Sequence, residues 1–303
     1  MLGLNDKSWL VEKFYETHYS KFSDRHQDNR EKLSTYDTYF GMGHSIRLID
    51  EPGVFKISPA GLALGNYMLK TLRDDELKGG CLDIGTGGGV LAILLRDMGA
   101  EDIVGTDISA AAVDLAIRNE MLNFGDNKIS FAVSDLFYDL PNKLRKFGTV
   151  IFNPPGWRTP SDDLLKHLTA IDNTEELAPS AMFYGDRLLL DFLQELPSYL
   201  QENGRAIIGL NSLVGIKDVL MRYRNKQCGA CPLQFRLLER YTFPLLFYSE
   251  HWKKIASRLR EEFSQWQERH QAAYSLDSKG NLYWSYELVE CIWNRNRMGR
   301  IHG

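Results

Sequence analysis

A glycine-rich segment at residues 83–89 has the sequence Asp-Ile-Gly-Thr-Gly-Gly-Gly, between an apolar run and a helical pattern. Glycines at such a junction let the backbone approach a ligand closely, and the N-terminus of the helix can face it. Asp107 ends the next predicted strand, where a carboxylate can accept hydrogen bonds from both hydroxyls of a ribose. Asp135 follows the third strand and is placed to contact the edge of an adenine. Together these residues predict an adenosine site.

The spacing of the glycines separates two ligands that contain adenosine, NAD and S-adenosylmethionine (SAM). Dinucleotide sites use Gly-x-Gly-x-x-Gly, whereas this segment follows the pattern Asp-x-Gly-x-Gly-x-Gly. An acid beside a pyrophosphate would be repulsive, but the same acid suits a ligand that carries an ammonium and a sulfonium. The pattern therefore favours SAM as the cofactor or sole substrate, and we expect no metal.

A second motif, Asn153-Pro154-Pro155, follows the fourth predicted strand. Two consecutive prolines impose an extended turn and remove two N–H donors, which leaves carbonyl groups and the Asn153 amide to face a ligand. Such acceptors can hold the hydrogens of an amide or amine while the nitrogen lone pair points at a methyl group. We therefore expect Asn153, Pro154 and Pro155 to be the catalytic residues of a reaction at nitrogen.

These motifs resemble those of the class I SAM-dependent methyltransferases, and the resemblance covers roughly residues 53–250. The Asn-Pro-Pro motif is similar to the Asn-Pro-Pro-Tyr of release-factor glutamine methyltransferases and adenine-N6 methyltransferases. Residues 53–59 resemble the segment of that family that covers the methionine part of SAM. The resemblance implies an N-methyltransferase acting on a small-molecule or protein amine or amide, and it assigns cofactor binding to Phe55, Pro59, Asp83, Gly85, Gly87, Gly89, Asp107, Ile108, Asp135, Leu136 and Asn153.

Gly156 occupies the position where that family has an aromatic residue that stacks on a planar acceptor. Trp157 either takes over this role or is an ordinary buried aromatic. The missing ring leaves room for a small amine, or for SAM itself as the substrate. The second hypothesis is therefore a SAM cyclase similar to the methyltransferase-like azetidine-2-carboxylate synthases, which would release methylthioadenosine from SAM alone.

A third hypothesis is an RNA-binding or tRNA-modifying module, suggested by the alternation of basic and aromatic residues at 221–226. Such a run is more often the solvated end of a helix. The formal net charge of −4 also argues against a nucleic-acid partner. Cys228 and Cys231 have the spacing of a metal or redox pair, but no second pair completes a zinc site. The expected partner is a small-molecule substrate or SAM alone.

The elements that must position these residues alternate between strands and helices from residue 79 onward. This alternation predicts an α/β fold, a Rossmann-like methyltransferase domain with helices on both faces of the sheet. The family resemblance adds seven strands, mostly parallel, with the last one antiparallel. The predicted strands are 44–49, 54–57, 81–84, 103–107, 128–133, 149–152, 206–210, 235–239 and 243–247, the last two as an antiparallel pair, and the predicted helices are 10–22, 60–72, 90–98, 110–123, 187–200, 216–223 and 252–273.

Three parts of the chain are expected: an N-terminal helical cap with the start of a hairpin at 1–52, the SAM-binding domain at 53–250 and a C-terminal helical extension at 251–303. Six N-terminal aromatic residues, three of them Tyr36, Tyr39 and Phe40, either form a lid over the sulfonium or pack against the sheet. The 303 residues are 44% hydrophobic with four cysteines, and no signal peptide or transmembrane run is recognisable. We expect a cytoplasmic enzyme.

Overall fold

The computed structural model describes residues 34–54, 56–140, 145–171, 182–227, 231–245 and 250–293. The predicted helix at 10–22, Phe55 and Cys228 lie outside these ranges. No helix within them is both long and apolar enough to cross a bilayer. The elements, in chain order, are β1 Thr35–Gly41, β2 His44–Ile49, α1 Pro59–Thr71, α2 Asp74–Lys78, β3 Cys81–Ile84, α3 Val90–Asp97, β4 Ile103–Asp107, α4 Ala110–Phe124, β5 Ser130–Val133, β6 Phe147–Phe152, α5 Asp162–Ile171, α6 Gly185–Tyr199, β7 Leu200–Asn211, α7 Ile216–Lys226, β8 Leu233–Pro244, α8 Glu250–Glu268, β9 Tyr274–Leu276 and β10 Leu282–Trp293.

The central sheet has the strand order β5-β4-β3-β6-β7-β10-β8, and β9 pairs with β10 outside this path. Strands β3 to β7 are parallel to their neighbours, whereas β10 runs antiparallel to both β7 and β8. The predicted Rossmann-like architecture is therefore confirmed, with seven strands on the main path and the last of them antiparallel. Because β3, β4 and β6 are parallel, their carboxyl ends meet at one edge of the sheet, where ligands of such folds bind.

The C-terminal part of the chain differs from the predicted helical extension. Helix α8 is present, but β10 follows it in the chain. This strand is inserted between β7 and β8 in the central sheet. The predicted antiparallel pair at 235–247 is likewise wrong, because 233–244 is one strand that pairs with β10. No turn divides β8, so the strand remains extended. The antiparallel strand of the fold comes from residues 282–293.

The hairpin before the domain also differs from its prediction. Strand β2 pairs with β1, not with residues 54–57. The connecting residues Gly41, Met42 and Gly43 all have positive φ, which allows a tight reversal between the two strands. Phe40 is buried in the core, whereas Tyr39 is exposed. Phe40 therefore packs in the core rather than serving in a lid.

Hydrophobic clusters fill both faces of the sheet and the space beneath α8. Helices α1 and α3 cover one face, and α6 and α7 cover the other. The third cluster joins α8 to α5 and to the turn after β6, through Trp157, Leu168, Phe263 and Trp266. The turn that carries the Asn-Pro-Pro motif is therefore packed against a helix from the far end of the chain.

Candidate active site

A cavity of 590 Å³ lies at the carboxyl ends of β3, β4, β5 and β6. Its volume is in the range of small-molecule sites. The segments that follow these four strands all reach it because the parallel strands end at the same edge, and residues from other parts of the chain complete its lining. The predicted residues that line it are Asp83, Gly85, Gly87, Asp107, Ile108, Asp135, Leu136, Asn153, Pro154 and Pro155.

The glycines of the loop at residues 83–89 differ in whether they face the cavity or pack against the protein. Gly85 and Gly87 have φ values of 66° and 54°, and a Cβ on either would meet no atom within 4 Å, so their backbone is open to a ligand. Gly89 also has positive φ, but a Cβ there would lie 2.9 Å from the Cβ of Ala116. Gly89 therefore serves the packing of α3 against α4, and it does not line the cavity as predicted.

Pro59 is the second predicted residue outside the cavity lining. It is buried as the first residue of α1, where its fixed φ suits a helix start. The preceding Ser58 caps this helix by accepting a hydrogen bond from the Gly61 N–H at 3.2 Å. Ser58 and Gly61 line the cavity instead. The segment is thus at the site, but through neighbours of the predicted residue.

Asp107 is held rigidly at the end of β4. Its Oδ2 accepts a hydrogen bond from the Gly87 N–H at 2.9 Å, and its Oδ1 accepts one from the Ser109 N–H at 2.9 Å. Each carboxylate oxygen keeps a further lone pair for a ligand. The side chain of Ile108 beside it is 71% exposed in the cavity rim, which offers an apolar face next to a polar acceptor.

Asp83 is a buried carboxyl group at the floor of the cavity, with only 1% of its surface exposed. The Thr86 hydroxyl donates a hydrogen bond to it at 2.6 Å. Burial raises the pKa of Asp83 to about 7, because the charged form loses its hydration. A cationic ligand would favour the ionised form and reverse this shift.

Asn153 contacts a residue that sequence reasoning missed. The hydroxyl of Tyr286, on β10, donates a hydrogen bond to Asn153 Oδ1 at 2.8 Å. Gly209, on β7, leaves the space for this contact, because a Cβ there would lie 1.8 Å from the Tyr286 hydroxyl oxygen. The two partners are 133 positions apart, and a tyrosine in an apolar strand gives no sequence signal of this role.

Gly156 is adjacent to a side chain that fills the space of the missing ring. A Cβ at Gly156 would lie 2.6 Å from Nδ2 of Asn211, a buried residue at the end of β7. The Oδ1 of Asn211 accepts the Leu213 N–H at 2.9 Å, which directs its NH₂ group toward Gly156. Both residues line the cavity.

Trp157 does not take the place of that ring. Only 4% of its surface is exposed, and its indole makes edge contacts with Phe183 and Phe263. Of the two alternatives for Trp157, the structure favours the buried aromatic. The motif therefore supplies no exposed ring for stacking.

The basic and aromatic run at the end of α7 has structural partners. Tyr223 is fully buried and cannot stack on a base. Arg222 forms ion pairs with Asp186 at 3.4 Å and with Asp218 at 3.6 Å. In the described ranges, no cluster of three metal-ligating side chains is found. Cys231 donates to the Leu233 carbonyl.

Comparisons with known proteins identify the family of this chain. The methyltransferase small domain family matches residues 45–169. A Methanocaldococcus jannaschii protein with the provisional name protein N5-glutamine methyltransferase is 37% identical over 157 residues, which cover 52% of this chain and 74% of the relative. The chain belongs to the class I SAM-dependent methyltransferases.

Two further similarities cover smaller shares of the other proteins' lengths. A release factor glutamine methyltransferase of Staphylococcus aureus is 27% identical over 158 residues, which are 51% of this chain and 55% of the relative. The solved 16S rRNA N2 methyltransferase of T. thermophilus, in complex with AdoMet and guanosine, aligns with a TM-score of 0.48 and 21% identity, over 71% of this chain and 50% of that one. Membership of the class I SAM-dependent methyltransferases implies SAM as the methyl donor.

Proposed function

We propose that this methyltransferase transfers the methyl group of SAM to the side-chain amide nitrogen of a protein glutamine. The observation that carries the proposal is the Asn153 amide, which lines the cavity at the end of β6 with its oxygen held by a second side chain. Two relatives are named as glutamine methyltransferases, which supports the choice of acceptor. A protein partner replaces the small molecule expected from the sequence.

The residues of the cavity fit SAM. Asp107 has free lone pairs for the two ribose hydroxyls, and Ile108 and Leu136 offer apolar contacts for the adenine. Asp135 lies at the rim for the adenine edge, and buried Asp83 faces the cationic methionine end. When bound, SAM supplies an electrophilic methyl group on a sulfonium.

Asn153 and Pro154 orient the acceptor in this proposal. Their oxygens accept hydrogen bonds from the N–H groups of the amide, so that the nitrogen lone pair is directed at the methyl carbon. The nitrogen forms the new C–N bond as the C–S bond breaks, S-adenosylhomocysteine leaves, and the nitrogen loses one proton to water. The Pro155 carbonyl oxygen packs against Gly185, where a Cβ would lie 2.1 Å from it, so this oxygen is left out of the proposed acceptor set.

The direct test uses purified peptide chain release factor from the same organism and methyl-labelled SAM. We expect tandem mass spectrometry to locate the label on one glutamine, and we expect the Asn153→Ala variant to label it at least about 100-fold more slowly. A release factor in which that glutamine is replaced is the matched control. Label that appears in RNA, or no label in protein, would contradict the proposal.

A second candidate, the SAM cyclase, is favoured by one observation: within the described residues, the Asn-Pro-Pro turn carries no exposed aromatic ring beside Gly156. Without stacking for a planar group, the amino group of SAM can itself be the nitrogen that the Asn153 oxygen holds. It would form a C–N bond to its own γ-carbon, and the C–S bond would break to release methylthioadenosine. Production of methylthioadenosine from SAM alone would select this candidate.

A further inference from the structure

The hydrogen bond between Tyr286 and Asn153 joins the catalytic motif to the last strand of the sheet. Tyr286 is 2% exposed, and its hydroxyl lies 2.8 Å from Asn153 Oδ1. In the part of the chain that the structure describes, this oxygen is the acceptor found for the Tyr286 hydroxyl. We infer that Tyr286 is a positioning residue that holds the Asn153 amide in the orientation in which its oxygen accepts a hydrogen from the reacting nitrogen.

The orientation of an asparagine amide depends on its hydrogen-bond partners. The oxygen of the amide has two lone pairs, whereas its nitrogen has only hydrogens to donate. Tyr286 uses one lone pair, and the second one stays available to the acceptor. If the amide turned over, Nδ2 would face the reacting nitrogen, and two N–H donors would oppose each other. Tyr286 thus favours the orientation of the Asn153 amide in which the oxygen faces the reacting nitrogen.

The surrounding strands show that the space for this contact is built into the sheet. Gly209 lies on β7 two residues from Asn211, which is paired with Tyr286 in the ladder. A Cβ at Gly209 would lie 1.8 Å from the Tyr286 hydroxyl and 2.8 Å from Asn153 Oδ1. Any larger residue would therefore displace the pair. The absence of a side chain at Gly209 therefore leaves the space in which the Tyr286 hydroxyl reaches Asn153.

Burial keeps the hydroxyl in its donor form. Desolvation raises the pKa of Tyr286 well above its usual range, so the proton remains on the oxygen at neutral pH. The ring is fixed by Phe243 and Trp284, whose ring centroids lie 6.4 Å and 6.2 Å from its own. A permanent donor on a fixed ring is suited to orient a neighbour rather than to exchange protons.

The test compares Tyr286→Phe with Tyr283→Phe, which makes the same chemical change on the same strand but outside the cavity lining. We expect Tyr286→Phe to lower kcat about 10- to 100-fold while the KM for SAM changes less than about twofold, because only orientation is lost. Tyr283→Phe should keep the wild-type kcat. The assay follows every nucleoside product of SAM, so the readout holds for either candidate reaction.

A double-mutant cycle separates this inference from the proposed role of Asn153, on which it rests. Tyr286→Phe should change kcat by less than about twofold in the Asn153→Ala background, because the hydroxyl acts through that amide. Independent effects of the two substitutions would overturn the inference. If Asn153→Ala alone keeps the wild-type rate, the proposed role of Asn153 fails instead.

Crystal structures of the wild type and Tyr286→Phe give a readout that does not depend on activity. We expect the Asn153 side chain to rotate or turn over in the variant, and Gly209→Ala to displace Tyr286 with the same result. An Asn153 side chain that stays in its wild-type position without the hydroxyl would overturn the inference.

Discussion

Asp107 is the single residue whose geometry most directly supports cofactor binding. Both of its oxygens are already aligned by backbone N–H groups, at 2.9 Å each, so little ordering is needed when a ribose binds. We expect Asp107→Ala to weaken SAM binding about 10- to 100-fold, the effect of losing charge-assisted hydrogen bonds. Isothermal titration calorimetry measures this, with Asp114→Ala on the exposed surface of α4 as control. Unchanged affinity in Asp107→Ala would remove Asp107 from the site.

We expect Asp83 to make the binding of SAM dependent on pH. Its pKa of about 7 means that the carboxyl is largely protonated at pH 6 and largely ionised at pH 8. A cationic ligand binds the ionised form better, so the affinity for SAM should rise about tenfold between pH 6 and pH 8. We expect Asp83→Asn to flatten this profile in calorimetric titrations. An affinity that falls across this interval in the wild type would contradict the placement of Asp83 beside the positive charge.

The same carboxyl has the opposite effect on the unliganded protein. Because its pKa is raised on folding, its contribution to stability is complete below about pH 4 and is lost as the pH rises through 7. As the pH rises through 7, ionisation of Asp83 is therefore expected to strengthen SAM binding and to lower the stability of the unliganded protein.

At the scale of elements, the C-terminal strand is the feature with the largest consequence. Leu288 on β10 is fully buried between β7 and β8, whereas Leu276 on β9 is 59% exposed. We expect Leu288→Ala to lower the free energy of unfolding by about 2–5 kcal/mol. Leu276→Ala should change it by less than about 0.5 kcal/mol.

Urea titrations followed by circular dichroism compare the two variants. Equal and small effects would mean that β10 is not part of the core. The division of the chain at residue 250, proposed from the sequence, would then regain support, since residues 251–303 would form an appendage rather than complete the sheet.

The sequence predicted the parallel half of the sheet well because β3, β4, β6 and β7 are each followed by a helix with its own periodicity. Strand β3, the glycine loop and α3 were all placed by local patterns, as was the turn at Asn153. Residues 282–293 were harder, because a strand inserted between two others is defined by partners far along the chain. Tyr286, Gly209 and Asn211 were missed for the same reason. Their roles depend on the register of β7 and β10, which no local spacing encodes.

At the scale of the whole molecule, charge bears on the choice of macromolecular partner. The net charge of −4 gives little release of counterions from a nucleic acid, and Arg222 is engaged with Asp186 and Asp218. We therefore expect tRNA to bind no more tightly than about 10 µM at physiological salt in filter assays, in the range of non-specific binding. Submicromolar binding that weakens steeply with added salt would contradict this and would favour an RNA substrate.

The central claim is methyl transfer to a nitrogen held by Asn153, and the nucleoside released from SAM tests it most directly. Wild type and Asn153→Ala are each incubated with SAM, with and without purified release factor, and the products are measured by mass spectrometry. We expect S-adenosylhomocysteine from the wild type only when release factor is present, and at least about 100-fold less from the variant. Methylthioadenosine formed by the wild type from SAM alone, faster than spontaneous decay, would contradict it.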